Sequence, residues 1–168
     1  MKNLLFITLT AVCLMGFTAN ANARAIDEKN AQKASENKDF SINLGRHWIL
    51  TSVSINGKDT GFARDELKGM PGEEEIFSLT FDGKGFLSGV GAPNRYSGPY
   101  TTSEKQTITI PPMRSTLMAA LFEPNNLKEY EFYVYLQGAY RWDRKEQKLM
   151  LYSKTGDDEV VLTFDSKD

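Results

Sequence analysis

Short runs of alternating apolar and polar residues recur along the chain from residue 47 onward. In the run IFSLTF, residues 76–81, Phe77, Leu79 and Phe81 share one face while serine and threonine occupy the other, which is the two-residue period of a half-buried strand. Comparable runs lie at 47–55, 86–90, 106–110, 139–143, 148–153 and 159–164. This pattern predicts a mainly β domain of antiparallel sheet, as a barrel or a sandwich. We expect a small, partly open barrel of about seven or eight strands.

Turn-forming residues separate these runs. The pair Asn56-Gly57 ends the first run, and the tetrapeptide DGKG at 82–85 predicts a tight hairpin. Pro111 and Pro112 end the run at 106–110, because proline has no N–H for the ladder. The apolar residues between Pro112 and Pro124 must then be buried, and we expect one helical turn there.

One segment, about 126–138, has a helical rather than a two-residue period. It follows Pro124, offers Asn125 or Asn126 as an N-cap and ends at Gly138. The expected buried face comprises Leu127, Tyr130, Phe132, Tyr133, Val134, Leu136 and Gly138. Its aromatic residues keep a strand as the alternative. A helix here would lie across the barrel mouth or against the sheet.

The first 25 residues have the pattern of a cleaved secretory signal peptide. Lys2 supplies a positive charge, residues 4–17 are mostly apolar, and small residues alternate after them. The sites compatible with signal peptidase are those after Ala21, Ala23 and Ala25. The apolar run is shorter than the about 20 residues that a transmembrane helix needs.

The signal predicts an exported protein, most simply in the periplasm of a Gram-negative bacterium. A lipid anchor on Cys13 is the alternative, although the bulky Val12 precedes it. Residues 26–41 are polar and charged, so they form a flexible lead-in. A single folded domain is expected over 42–168, and we expect a monomer without a transmembrane span.

Charge and cysteine content narrow the function classes. Removing residues 1–25 leaves 18 of the 20 basic residues against 22 acidic ones, a net charge of −4, or −3 where Arg24 remains. An acidic balance argues against nucleic-acid binding. Cys13 is the only cysteine, so the mature domain depends on its core and has no disulfide.

The residues suited to catalysis are few. His47 is the single histidine, and its position at a strand start favours a surface or strand-edge role. The acidic clusters at 72–77 and 156–161 are typical of charged strand ends. A calcium site in TGDDE, residues 155–159, is the alternative for the second cluster, although it lacks the ligand spacing of a calcium loop. We expect no catalytic residues, no metal and no cofactor.

The ordered motifs of the chain resemble those of the META, or HslJ-like, family of bacterial envelope proteins over roughly residues 45–165. The match includes LTFDGKGFLSG, NRYSGPY, RSTLMAA, KLMLY and LTF in sequence. The positions that carry it are Trp48, Leu50, Gly89, Gly98, Arg114, Ser115, Thr116, Glu129, Phe132 and Leu136. The resemblance implies a structural role for these positions and a link to heat-shock response and drug tolerance.

The chain departs from the family pattern at two positions. Where family members carry cysteines, this sequence has Pro93 and Ala120. Joint loss of both suggests that the two are disulfide partners in the family. Pro93 and Ala120 should then lie close together, with Cβ atoms about 4 to 6 Å apart.

The segment 89–100, GVGAPNRYSGPY, is expected to be a loop. Its candidate recognition residues are Asn94, Arg95, Tyr96 and Tyr100, whose polar and aromatic groups suit a binding surface. The alternative is a structural bend in which Asn94 caps the loop and the tyrosines pack. If Arg114 is buried, we expect Glu129 to be its partner, and buried Ser115 and Thr116 would satisfy loop carbonyls.

The leading functional hypothesis is a non-enzymatic envelope protein that binds another, unknown envelope protein and supports stress tolerance. The second is a carrier of a small hydrophobic molecule or lipid, since META domains are similar in fold to secretin pilotins. The residues that would line its cavity are Phe77, Leu79, Phe81, Phe132, Leu136 and Trp142. A third is a hydrolase inhibitor using 92–100 as a wedge, and an enzyme ranks last.

Overall fold

The computed structural model describes residues 46–103, 105–119 and 123–167. Over these residues nine strands form one antiparallel sheet and two more pair beside it. The strands are β1 (His47–Ile55), β2 (Lys58–Asp59), β3 (Ser78–Phe81), β4 (Phe86–Val90), β5 (Arg95–Pro99), β6 (Thr101–Thr102), β7 (Ile108–Thr109), β8 (Arg114–Ser115), β9 (Ala139–Lys145), β10 (Lys148–Thr155) and β11 (Asp158–Ser166). The helices are a 3-10 turn, Arg64–Leu67, and α1, Glu129–Gln137.

The strand β1 lies at the centre of the main sheet. The order is β8-β5-β4-β3-β1-β11-β10-β9, with β2 paired to β1. The β1–β2 connection is Asn56-Gly57, whose φ angles of 51° and 75° are those that a two-residue hairpin turn requires. The turn expected at this pair is therefore confirmed.

The sheet curves without closing into a complete barrel. In the described part of the chain β8 and β9 end the main sheet. The small sheet of β6 and β7 reaches β9 through a single bridge between Thr107 and Arg141. The prediction of a mainly β, partly open fold with one helix is confirmed.

The β3–β4 hairpin is held by the side chain of Asp82. Its Oδ1 accepts hydrogen bonds from the backbone N–H groups of Lys84 at 2.7 Å and Phe86 at 2.9 Å. An aspartate that bonds the backbone two residues ahead is a common turn former. The hairpin expected at DGKG is confirmed.

The helix α1 is shorter than predicted and presents a narrower face to the core. It begins at Glu129, where the N–H of Lys128 donates to the Glu131 carboxylate at 2.7 Å. Phe132 and Leu136 are fully buried. The predicted inclusion of Tyr130 and Val134 in the buried face is wrong, since they are 65% and 43% exposed. Nine residues make two and a half turns, so only one stripe can face the sheet.

Aromatic rings form the centre of the core. The Phe132 ring on α1 lies 5.1 Å from that of Phe77 and 6.5 Å from that of Phe164 on β11, centroid to centroid. Trp48 and Leu50 on β1 are also fully buried. The six residues named for a carrier cavity all belong to this packed core.

Each of the two segments predicted as irregular contains a strand. Arg95–Pro99 forms β5, so only residues 91–94 connect it to β4, and the expectation of one loop over 89–100 is wrong. Arg114–Ser115 forms β8 rather than a helical turn. Leu117 and Met118 are 98% and 61% exposed, which corrects the expectation of burial. The glycines that suggested a loop serve close packing instead: a Cβ on Gly98 would lie 2.9 Å from Cγ of Met113.

Candidate functional site

A carboxylate from α1 binds the turn between β4 and β5. Oε1 of Glu129 accepts hydrogen bonds from the backbone N–H of Ala92 at 2.6 Å and of Asn94 at 2.7 Å. It also accepts from the hydroxyl of Tyr133 at 3.1 Å. Oε2 accepts from Nδ2 of Asn94 at 2.7 Å. We call these contacts the Asn94–Glu129 clasp, and they fix the turn to the helix.

The clasp extends to the segment after β8. Oδ1 of Asn94 accepts from the hydroxyl of Thr116 at 2.8 Å and from the N–H of Met118 at 2.7 Å. Nδ2 also donates to the carbonyl of Met118 at 3.1 Å. One asparagine therefore joins the β4–β5 turn, α1 and the end of β8. Ala120 lies outside the described residues, so its predicted proximity to Pro93 stays a prediction.

Three of the four candidate recognition residues are buried. Asn94, Tyr96 and Tyr100 have little exposed surface, and Arg95 alone is exposed. The Tyr96 hydroxyl donates to the carbonyl of Ser78 at 2.7 Å, and burial raises the pKa of both tyrosines above the ordinary value. The prediction of a recognition surface made of all four residues is therefore wrong. The alternative, in which Asn94, Tyr96 and Tyr100 have a structural role, accounts for these three residues. A hydrolase inhibitor that uses 92–100 as a wedge would need an exposed loop there, and most of this segment is strand or buried turn.

The Arg114–Glu129 pair considered from sequence does not form. Arg114 is exposed on β8, whereas the Glu129 carboxylate is occupied by the clasp. Ser115 and Thr116 are exposed as well, and Thr116 bonds the side chain of Asn94 rather than a loop carbonyl.

A polar groove runs across the outer face of the sheet. Strand register places one residue from each of five neighbouring strands directly opposite the next. From β1 to β8 this row is His47, Thr80, Ser88, Ser97 and Arg114. Arg95, Glu75 and Thr116 also line the groove, whose volume is about 540 Å³. A space of this size suits a small ligand, for which pockets are typically about 300–1,000 Å³.

The β1 end of the groove is held by ionic contacts. Nε2 of His47 lies 2.8 Å from Oε2 of Glu75, and Nδ1 lies 2.9 Å from the hydroxyl of Thr80. Nζ of Lys167 lies 2.7 Å from Oε1 of the same glutamate. The hydrogen bond from Lys167, aided by the charge of His47, lowers the pKa of Glu75 despite an opposing contribution from burial. His47 is thus half-buried at the start of β1, where it pairs with Thr80 of β3.

Because the pKa of Glu75 is lowered, we expect the stability of the folded domain to depend on pH. Because its pKa is lower in the folded state, its contribution is fully present above its ordinary pKa of 4.5 and is lost as pH falls through the folded value. Glu75→Gln should therefore lower the urea midpoint at neutral pH, and this effect should shrink as pH falls below 4.5. Urea titrations at several pH values measure this difference. A difference that grows as pH falls would contradict it.

The hydroxyl row of the groove, Thr80, Ser88 and Ser97, is not apparent from the amino-acid sequence. Thr80, Ser88 and Ser97 each occupy an outward position of a strand, and outward serines and threonines were interpreted simply as the polar half of the alternation. Their alignment depends on register, which the sequence leaves open. One feature of the sequence could have indicated this row: a hydroxyl residue stands at an outward position in each of three successive strands.

Membrane-spanning helices and groups of metal-ligating side chains are both absent from the described residues. Within 46–103, 105–119 and 123–167, no helix is long and apolar enough to cross a membrane. Over the same ranges no three histidine, cysteine, aspartate or glutamate side chains are grouped as metal ligands.

The architecture defines a small antiparallel β domain with one helix packed on the sheet and a polar groove on the outer face. A META domain family model matches residues 41–168. The chain belongs to the META domain family, which confirms the resemblance found in its motifs. No curated protein matches the chain.

Solved structures share this fold at low sequence identity. A crystal structure of a DUF4847 family protein from Bacteroides vulgatus has 15% identity and a TM-score of 0.52, covering 76% of this chain and 98% of that one. An NMR structure of a protein from Burkholderia xenovorans has 19% identity and a TM-score of 0.56, covering 78% and 88%. At these identities the likeness concerns the fold alone.

Proposed function

We propose that this protein is a non-enzymatic domain of the bacterial envelope that supports stress tolerance by binding another protein. The observation that carries the proposal is the apolar pair Leu117 and Met118, which are 98% and 61% exposed directly after β8. Large apolar side chains exposed together next to a sheet edge are typical of interaction sites.

The strand β8 also offers backbone groups to a partner. Thr116 donates its N–H to the carbonyl of Arg95 at 3.0 Å, so by alternation the N–H and C=O of Ser115 and Leu117 point away from β5. In the described part of the chain β8 ends the sheet. An extended segment of a partner could add a strand here, its side chains covering Leu117 and Met118.

The proposed location in the bacterial envelope is based on the amino-acid sequence. Residues 1–25 have the charge and apolar pattern of an export signal, and family membership adds the link of META proteins to stress. The absence of an enzymatic role remains part of the proposal, supported by the single histidine and by Cys13 lying within the predicted signal.

In-cell photocrosslinking tests the proposal. A photoreactive residue at position 117 should yield one discrete protein adduct, and the same residue at Tyr130, which is 65% exposed on α1, should not. The double variant Leu117→Asp/Met118→Asp should weaken binding to the identified partner by about tenfold or more. It should also fail to restore heat survival to a deletion strain.

The control is Tyr130→Asp, which introduces one of the two negative charges of the double variant at a large side chain of exposure similar to that of Met118. This variant should bind and complement like the unaltered protein. The proposal is abandoned if position 117 gives no adduct and the deletion leaves heat and drug survival unchanged.

A further inference from the structure

The charges that line the polar groove are unevenly compensated. At the β1 end Glu75 contacts His47 and Lys167. At the β8 end Arg95 and Arg114 are exposed, and no carboxylate of the described residues pairs with either. The groove therefore has a region of net positive charge at one end of an acidic protein.

The two arginines share one face of the sheet. Arg114 lies opposite Ser97, and Arg95, two residues before Ser97 on β5, lies on the same face. Side chains placed diagonally on neighbouring strands are about 7–8 Å apart at their Cα atoms. Two arginines whose Cα atoms have this spacing on one face can both reach a single small ligand.

The rest of the groove adds hydrogen-bonding groups. Hydroxyls of Ser88 and Ser97 lie next to the arginines along the row, and Thr80 follows. Val90 supplies the aliphatic lining side chain. Guanidinium forks match the planar oxygens of carboxylate and phosphate, and hydroxyls can donate to the oxygens that the forks leave free.

We propose that the groove is a binding site for a small dianion carrying carboxylate or phosphate groups, held by Arg95 and Arg114 and by the hydroxyls of Ser88 and Ser97. The site lies on the outer face of β4, β5 and β8. It is separate from the exposed Leu117 and Met118, so the ligand and the partner protein bind to different side chains.

Titrations followed by NMR of backbone amides test this site at constant ionic strength. The probes are succinate, inorganic phosphate and succinamide, the neutral analogue of succinate. At least one of the two dianions should give saturable shifts at Ser88, Ser97, Arg95 and Arg114, and the preference between them identifies carboxylate or phosphate as the favoured group. Succinamide should give none, and added salt should weaken the binding because the site is open to solvent.

Variants assign the binding to the two arginines. Arg95→Gln/Arg114→Gln should weaken binding by about tenfold or more, because both forks are lost. Arg114→Lys should give an intermediate loss, since charge remains without the fork. The control Lys145→Gln removes one positive charge from β9, at the opposite end of the strand order, and should change the dissociation constant by less than about twofold.

Several results would overturn the site. The first is that succinamide binds as tightly as succinate. The second is that Lys145→Gln weakens binding as much as the double arginine variant does. The third is that the double arginine variant leaves the dissociation constant unchanged. Failure of both dianions to saturate would do so as well. Crosslinking at position 117 reports on the partner protein independently, so each proposal can fail alone.

Discussion

Glu129→Ala should lower the free energy of unfolding by about 3 kcal/mol, because each buried donor left without an acceptor costs about 1–3 kcal/mol. The substitution removes the acceptor for the N–H groups of Ala92 and Asn94, both buried, and for Nδ2 of Asn94. Urea unfolding followed by tryptophan fluorescence measures the change.

A second glutamate on the same helix provides the control. Glu131 accepts hydrogen bonds from the N–H of Lys128 at 2.7 Å and from the exposed hydroxyl of Tyr130 at 3.4 Å. Glu131→Ala therefore removes one backbone cap bond and should cost about 1 kcal/mol, as is usual for a lost cap. Glu129→Gln should fall between the two, because its amide keeps one oxygen but turns an N–H₂ group toward donors. If Glu129→Ala were no more damaging than Glu131→Ala, the clasp would not hold the turn.

Gly89→Ala should destabilise the domain by about 3 kcal/mol or more, the upper range for overpacking a core. A Cβ at this position of β4 would lie 2.6 Å from the hydroxyl oxygen of Tyr96 and would overlap the carbonyl oxygen of Ser78. These two atoms form a buried hydrogen bond, so the added methyl group displaces both partners. Thermal unfolding monitored by circular dichroism checks this.

The neighbouring Ser88 gives the comparison. Its side chain is exposed on the outer face, so Ser88→Ala should change the free energy of unfolding by less than about 0.5 kcal/mol. Equal stability of the two alanine variants would show that β4 and β3 can separate enough to admit a methyl group.

Local pattern was sufficient to predict most strands and turns. Alternation in 47–55 and the pair Asn56-Gly57 predict β1 and its turn as observed, because side-chain period and left-handed turn preference are properties of neighbouring residues. The same reasoning failed at Arg95–Pro99, where Gly98 and Pro99 favour a loop. A glycine in a strand marks close approach of another segment, and only the tertiary structure shows which one.

The candidate site was less accessible to sequence reasoning. Glu129 is recognisable as a motif position, but the sequence suggests Arg114, if buried, as its partner rather than Asn94, 35 residues earlier. What distinguishes Asn94 from Arg114 is that Asn94 is buried, and which residues are buried follows from strand register. The groove depends on register more strongly still, since a shift of one residue in β5 would turn Ser97 inward.

The pairing of β1 with β11 constrains when this protein can fold. β1 is the first described strand and β11 the last, yet they pair from Trp48↔Ser166 to Ile55↔Val160. The half of the sheet that contains β3 and β4 is therefore joined to β10 and β9 only after the final strand has been synthesised. Pairings so distant in sequence form slowly, because the chain must first close a long loop. β1 therefore stays without its long partner strand until β11 is available, whatever hairpins have formed in between.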